Sequence, residues 1–124
     1  MASRKARHLQ VGRSGEHLAA TYLRCRGLRL IRRNYRCRWG EVDLIMQDRQ
    51  TLVFVEVRTR TGNYVQPSLT VDHAKQKRIR ASAETFLATQ QSYAALPCRF
   101  DVVSITAPNY APRINWIRDA FQHE

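Results

Sequence analysis

The chain has 124 residues and a mass of 14.4 kDa, of which 44% are hydrophobic. That is one domain's worth of sequence, with apolar content enough for a real core, so a disordered basic tail is excluded. No unbroken apolar run, Leu52-Val53-Phe54-Val55 among them, exceeds four residues, far short of the roughly 20 that span a bilayer. No apolar stretch follows the early basic residues, so no secretory signal is expected and the chain reads as soluble and cytoplasmic.

Lys and Arg total 21 against 10 acids, a net charge of +11, and 18 of the cations are Arg. The excess is lopsided, with +10 in residues 1–38 and +1 in the remainder. A basic half on a folded domain marks a polyanion partner, first of all nucleic acid, and Arg suits bidentate phosphate contact. A merely soluble surface is the plainer alternative.

Residues 1–11 read as a basic, flexible arm, residues 12–121 as one domain and residues 122–124 as a tail. From Arg13 to Arg26 the apolar positions Leu18, Ala19, Tyr22 and Leu23 recur at helical spacing, and Gly27 stops the helix. Leu28–Tyr35 reads as a short basic strand. Glu41–Met46 and Thr51–Thr59 follow as two strands around the polar turn Gln47-Asp48-Arg49-Gln50. After a loop over Gly62–Ser68, a second helix is expected from about Val71 to Ala88, capped by Thr70. Lys75, Lys77, Arg78 and Arg80 crowd its first half. Arg99–Ile105 and Ile114–Ile117 complete the strands. The order predicts a three-layer α/β domain with a central mixed sheet flanked by helices.

Cys25, Cys37 and Cys98 form no CxxC pair, and the four histidines show no HxxxH or HExxH spacing. Neither a zinc ribbon nor a zinc hydrolase is written here, and three reduced thiols are the plain reading.

The informative residues are acids. Glu56 interrupts Leu52-Val53-Phe54-Val55-Glu56-Val57-Arg58, a run that reads as a strand buried on both faces. Glu41 and Asp43 repeat the oddity beside Val42, Leu44, Ile45 and Met46. Such carboxylates are costly unless a cation or metal compensates them. If the strands pair through an even turn centred on Asp48 and Arg49, Asp43 faces Phe54 and Glu41 faces Glu56. Glu41, Asp43, Glu56 and Arg58 then share a face, with Asp43 and Glu56 as diagonal neighbours. A hard divalent ion fits between them. Two alternatives stay open. Arg58 and Arg60 can neutralise the acids in a structural cluster, and an odd turn without a bulge would send Asp43 and Glu56 to opposite faces. Glu16, alone, reads as a solvated helix residue.

Together, Gly15-Glu16, Gly40-Glu41-Val42-Asp43-Leu44-Ile45 and Phe54-Val55-Glu56-Val57-Arg58 resemble the PD-(D/E)xK nuclease signature. The nearest likeness is to the bacterial YraN-type family, itself similar to Holliday-junction resolvases of the restriction-endonuclease-like fold. The resemblance runs from about Val11 to Phe121 and takes in Lys75-Gln76-Lys77-Arg78 and Cys98-Arg99-Phe100-Asp101-Val102-Val103. It implies a Mg²⁺- or Mn²⁺-dependent endonuclease acting on structured or branched DNA, and a homodimer. Asp43 and Glu56 would hold the metal, with Glu16 and Arg58 as further catalytic residues. Arg58 stands where such nucleases often have Lys. It stays protonated and cannot act as a base, though it can steady charge on phosphate.

Arg13, Arg36, Arg38, Arg60, Lys75, Gln76, Lys77 and Arg78 are the candidates for a nucleic-acid track. Tyr35, Trp39 and Tyr64 are candidates for stacking on unpaired bases, with core or rim packing as the alternative. A non-catalytic nucleic-acid-binding protein on the same scaffold, or a small ribosome-associated protein, would use the charge without the chemistry.

Overall fold

The computed structural model describes residues 4–60, 71–106 and 111–121, with side chains from Gly15 onward. In chain order these form α1 (Arg4–Cys25), β1 (Arg29–Cys37), β2 (Gly40–Asp48), β3 (Thr51–Arg60), α2 (His73–Thr89), a 3₁₀ turn (Gln91–Tyr93), β4 (Cys98–Thr106) and β5 (Arg113–Phe121). The strands make one mixed sheet in the order β1-β2-β3-β4-β5, with β3 and β4 parallel and the other neighbours antiparallel. A parallel pair needs a crossover, and α2 provides it.

The sheet is buried on both faces, which gives the expected three layers. Ala19, Ala20 and Leu23 of α1 pack with Leu44, Met46, Val53, Val55 and Val103. Ile79, Ala83 and Phe86 of α2 pack on the other face with Ile45, Phe54, Phe100 and Val102. This explains the unbroken apolar run in β3, whose Leu52 to Val55 alternate between two cores rather than between core and water. No described helix is long and apolar enough to cross a membrane.

Several boundaries differ from the sequence reading. The helix α1 begins at Arg4, so residues 4–11 continue it. That segment carries Arg, Lys, Ala, Leu and Gln, all good helix formers whatever their hydrophobic pattern. The cap of α2 is Asp72, whose Oδ1 accepts from the Lys75 amide at 2.9 Å; Thr70 lies outside the described residues. The strand β5 runs to Phe121, well past Ile117, and Asp119 takes a positive φ of 53°. The turn at Gly27 is as expected, its amide donating to the Arg24 carbonyl at 3.0 Å. Residues 122–124 lie outside the described chain.

Candidate functional site

The site grows from the β2–β3 hairpin. Its ladder pairs Asp48 with Thr51, Ile45 with Phe54 and Leu44 with Val55. The turn is therefore Arg49–Gln50, with Arg49 at φ 57°, one residue later than expected. Asp48 is drawn into the strand, where its Oδ2 lies 3.0 Å from Arg99 Nη1. Moving the turn by one residue shifts the pairing by two, an even number, so along the ladder from Leu44 to Asp48 each side chain keeps its face. Phe54 pairs with Ile45 and not with Asp43 as expected, and Glu41, Asp43 and Glu56 lie beyond the last pair of the ladder, Leu44 with Val55.

The ladder itself stops at the acids. Instead of a backbone partner, the Val57 N–H donates to Asp43 Oδ2 at 2.8 Å. The Asp43 carboxylate thus takes the place of a backbone acceptor at this point. Asp43 is 8% exposed and Glu56 6%. Burial, and next the charge of Glu56, push the Asp43 carboxyl up from 3.8 to about 8; Glu16 and Glu41 add to the same field.

Glu16 reaches this cluster because α1 comes close to β3. Gly15 is buried, and a Cβ on it would collide with the Thr59 side chain, so only glycine lets the helix lie there. Glu16 is half-buried and hydrogen-bonded to Asn34. Burial, and then the Glu41 charge, raise its pKa against that bond. It is not a solvated helix residue. Asn34 has φ 51°, and β2 changes its alternation nearby. Val42 and Ile45 pack toward α2, while Leu44 between them packs toward α1.

Among the described residues, Glu56 Oε1 is paired with Lys75 Nζ from α2. Lys75 was expected on the phosphate track; its place is at the acid pair, and a lysine near the start of α2 was not a recognisable partner without the crossover geometry. Arg58 is half-buried beside Glu56, Val57, Arg60, Asp72 and Lys75 in an open cleft of about 360 Å³. A smaller cavity of about 210 Å³ is lined by Gly40, Glu41, Glu56, Lys75, Arg78 and Ile79.

The other candidates spread out. Arg36 is exposed and pairs with Glu41 at 3.2 Å. Arg38 lies over the Trp39 ring at 4.4 Å. Gln76 turns inward, its Nε2 donating to the Val71 carbonyl at 2.6 Å, and so braces the start of α2. Arg60 is exposed at the end of β3. Lys77 and Arg78 line a cleft with Trp39. The Arg13 side chain and Tyr64 lie outside the described side chains. Tyr35 is buried, edge-on to Phe86 at 5.3 Å, so it is core and not a stacking platform. The cysteines are free.

Among the described residues no group of three or more His, Cys, Asp and Glu side chains is arranged to hold a metal ion. Two buried carboxylates, Asp43 and Glu56, are present together, the pKa of Asp43 driven up by burial and then by the Glu56 charge. That donor set suits a hard divalent cation that completes its shell with water and substrate oxygen.

A model of the family described as "Uncharacterised protein family UPF0102" matches residues 15–105. The chain is 48% identical over 120 residues to a UPF0102 protein of Nitrosococcus oceani, covering 96% of this chain and 97% of that one. It is 50% identical over 112 residues to one from Stutzerimonas stutzeri, covering 90% and 93%. A Geobacter metallireducens relative is 46% identical over 113 residues, covering 90% and 92%.

Proposed function

The chain belongs to the UPF0102 family, the YraN-type family that its sequence resembles, and we propose that it is a metal-dependent endonuclease cleaving phosphodiester bonds in structured or branched DNA. The observation that supports this reading most is the pair Asp43 and Glu56, both buried just beyond the last pair of the β2–β3 ladder and near enough that the Glu56 charge adds to burial in raising the Asp43 pKa. Two like charges buried so close are costly without a cation.

In this reading Asp43 and Glu56 hold Mg²⁺ or Mn²⁺. The ion would supply an acidified water and an electrophile for the scissile phosphate. Val57 N–H orients Asp43 by binding one of its oxygens. Glu16 adds negative field behind the pair. Arg58, permanently charged, steadies the charge that builds on phosphate. Lys75 holds Glu56 in place and offers a compact second cation to the same phosphate. Arg38, Lys77 and Arg78 carry the flanking backbone.

The ion pair between Lys75 and Glu56 also supports a second reading, a non-catalytic nucleic-acid-binding protein in which Lys75 balances the acids permanently. Cleavage of plasmid, single-stranded and four-way-junction DNA, with and without divalent ions, decides between them. Metal-dependent cleavage lost in Asp43→Ala and Glu56→Ala supports the enzyme. Wild type matching both variants on every substrate rejects it.

A further inference from the structure

Trp39 is the one large hydrophobic side chain among the described residues that stands exposed, at 48%. It sits at the tip of the β1–β2 hairpin, where Arg38 and Trp39 make the turn between the paired Cys37 and Gly40. The tip packs on α2. Gly40, at φ 147°, lies close to Arg78 and Ser82, and Cys37 Sγ donates to Ser82 Oγ of α2 at 3.5 Å. The hairpin thus rests against α2 with its indole exposed.

Between Trp39 and α2 lies a cleft of about 450 Å³, lined by Ala81, Thr85, Ala88 and the stems of Lys77 and Arg78. Its floor is apolar and its rim cationic, with the Arg38 guanidinium over the indole as well. Glu84, at the edge, offers an acceptor for amino hydrogens. Arg78 lines this cleft and also the cavity that holds Glu56, Glu41 and Lys75, so the two spaces are neighbours.

We infer that this cleft takes an unpaired nucleobase, stacked on Trp39, from the strand whose phosphates lie on Lys77 and Arg78. A flat aromatic ring beside fixed positive charge is what a base with its phosphate requires. A base inside a duplex is already stacked on both sides and cannot enter. The substrate class is therefore nucleic acid with unpaired bases next to the reacting phosphate: single strands, flaps and frayed junction arms. This inference rests on the nucleic-acid reading above, and deepens it.

The test is binding by the full chain in EDTA, so that no cleavage intervenes. Labelled oligothymidylate, the same length of abasic strand and a matched duplex are titrated, with anisotropy and tryptophan emission recorded. Wild type is expected to bind oligothymidylate with quenched emission, and Trp39→Ala to bind it roughly tenfold more weakly. Trp39→Phe restores most of that loss, while abasic and duplex binding are the same in all three proteins. Equal oligothymidylate binding by wild type and Trp39→Ala, or a loss that Trp39→Phe fails to restore, overturns the stacking role and leaves the nucleic-acid reading standing. Absence of salt-sensitive binding to any of the probes overturns both.

Discussion

Replacing Asp43 by Asn should make the metal-free protein more stable, although it removes a proposed metal ligand. In the folded chain the Asp43 carboxyl is held at about 8, against an ordinary value of 3.8, by burial and by the nearby Glu56 charge. Between those two values the folded chain carries a proton that the unfolded chain has lost, so stability falls as pH rises through the window. Below 3.8 both states are protonated and nothing is lost; above about 8 the whole cost is carried. Roughly four factors of ten in proton affinity amount to on the order of 5 kcal/mol, most of it already present at pH 7. Asn keeps the shape, still accepts from the Val57 N–H and carries no charge. In EDTA at pH 8 the variant should melt roughly 20 °C higher than wild type, and the difference should close toward pH 4. Saturating Mg²⁺ or Mn²⁺ should raise the wild-type melting temperature and leave the variant unmoved. Differential scanning calorimetry across pH 4–9, with and without the ion, measures all three effects. A wild type whose stability is flat between pH 5 and 8 in EDTA, or an Asn variant that melts lower at pH 8, would refute the reasoning.

Three further outcomes follow from the same geometry. Lys75→Met removes the cation competing for Glu56, and should tighten Mn²⁺ binding about fivefold by calorimetry, from roughly 1 kcal/mol of screened repulsion, while slowing cleavage. Arg58→Lys should keep or raise cleavage of single-stranded or junction DNA and Arg58→Ala should abolish it; an active Ala variant would leave Arg58 a folding residue. Asp101→Ala strips the acceptor from Arg99, Trp116 and the Asp119 amide and leaves the half-buried Arg99 guanidinium with Asp48 as its carboxylate partner, which should cost about 1–3 kcal/mol in urea unfolding without changing metal affinity.

The layer order was legible because it depends on apolar alternation, and an error of two residues in pairing leaves parity unchanged as far as Leu44 and Val55. The face of Asp43 was not legible, because β2 changes its alternation between Val42 and Leu44. The exact partners were not legible, because Arg49 adopts a left-handed conformation and Arg99, distant in sequence, pulls Asp48 into the strand. Lys75 was visible as a basic residue, but its pairing with Glu56 depends on where the crossover lays α2 over the sheet. Gly15 was noticed beside Glu16, yet its reason, the near contact of α1 with β3 at Thr59, exists only in three dimensions. The stacking candidates separated for a similar reason. Tyr35 and Trp39 are both aromatic residues in a basic stretch, and only the position of the hairpin tip puts one in the core and the other in water.

The acids themselves show how a sequence signal divides. Asp101 also interrupts an apolar strand, in Phe100-Asp101-Val102-Val103, and by pattern alone it is as anomalous as Glu56. It is wholly buried, yet it accepts from Arg99 Nε at 3.1 and 3.2 Å, Trp116 Nε1 at 2.9 Å and the Asp119 amide at 2.9 Å. Three donors, one of them the Arg99 guanidinium shared by both oxygens, occupy this carboxylate and balance its charge, which makes Asp101 a tie between β4 and β5. Asp43 receives one described hydrogen bond, from Val57, and lies near another acid. Its field is negative where that of Asp101 is balanced. A buried acid in a strand therefore points to chemistry only when its donors fall short of its lone pairs and its nearest charged neighbour has the same sign. By that criterion the open end of β2 and β3 is the place on this sheet where a divalent cation has something to gain.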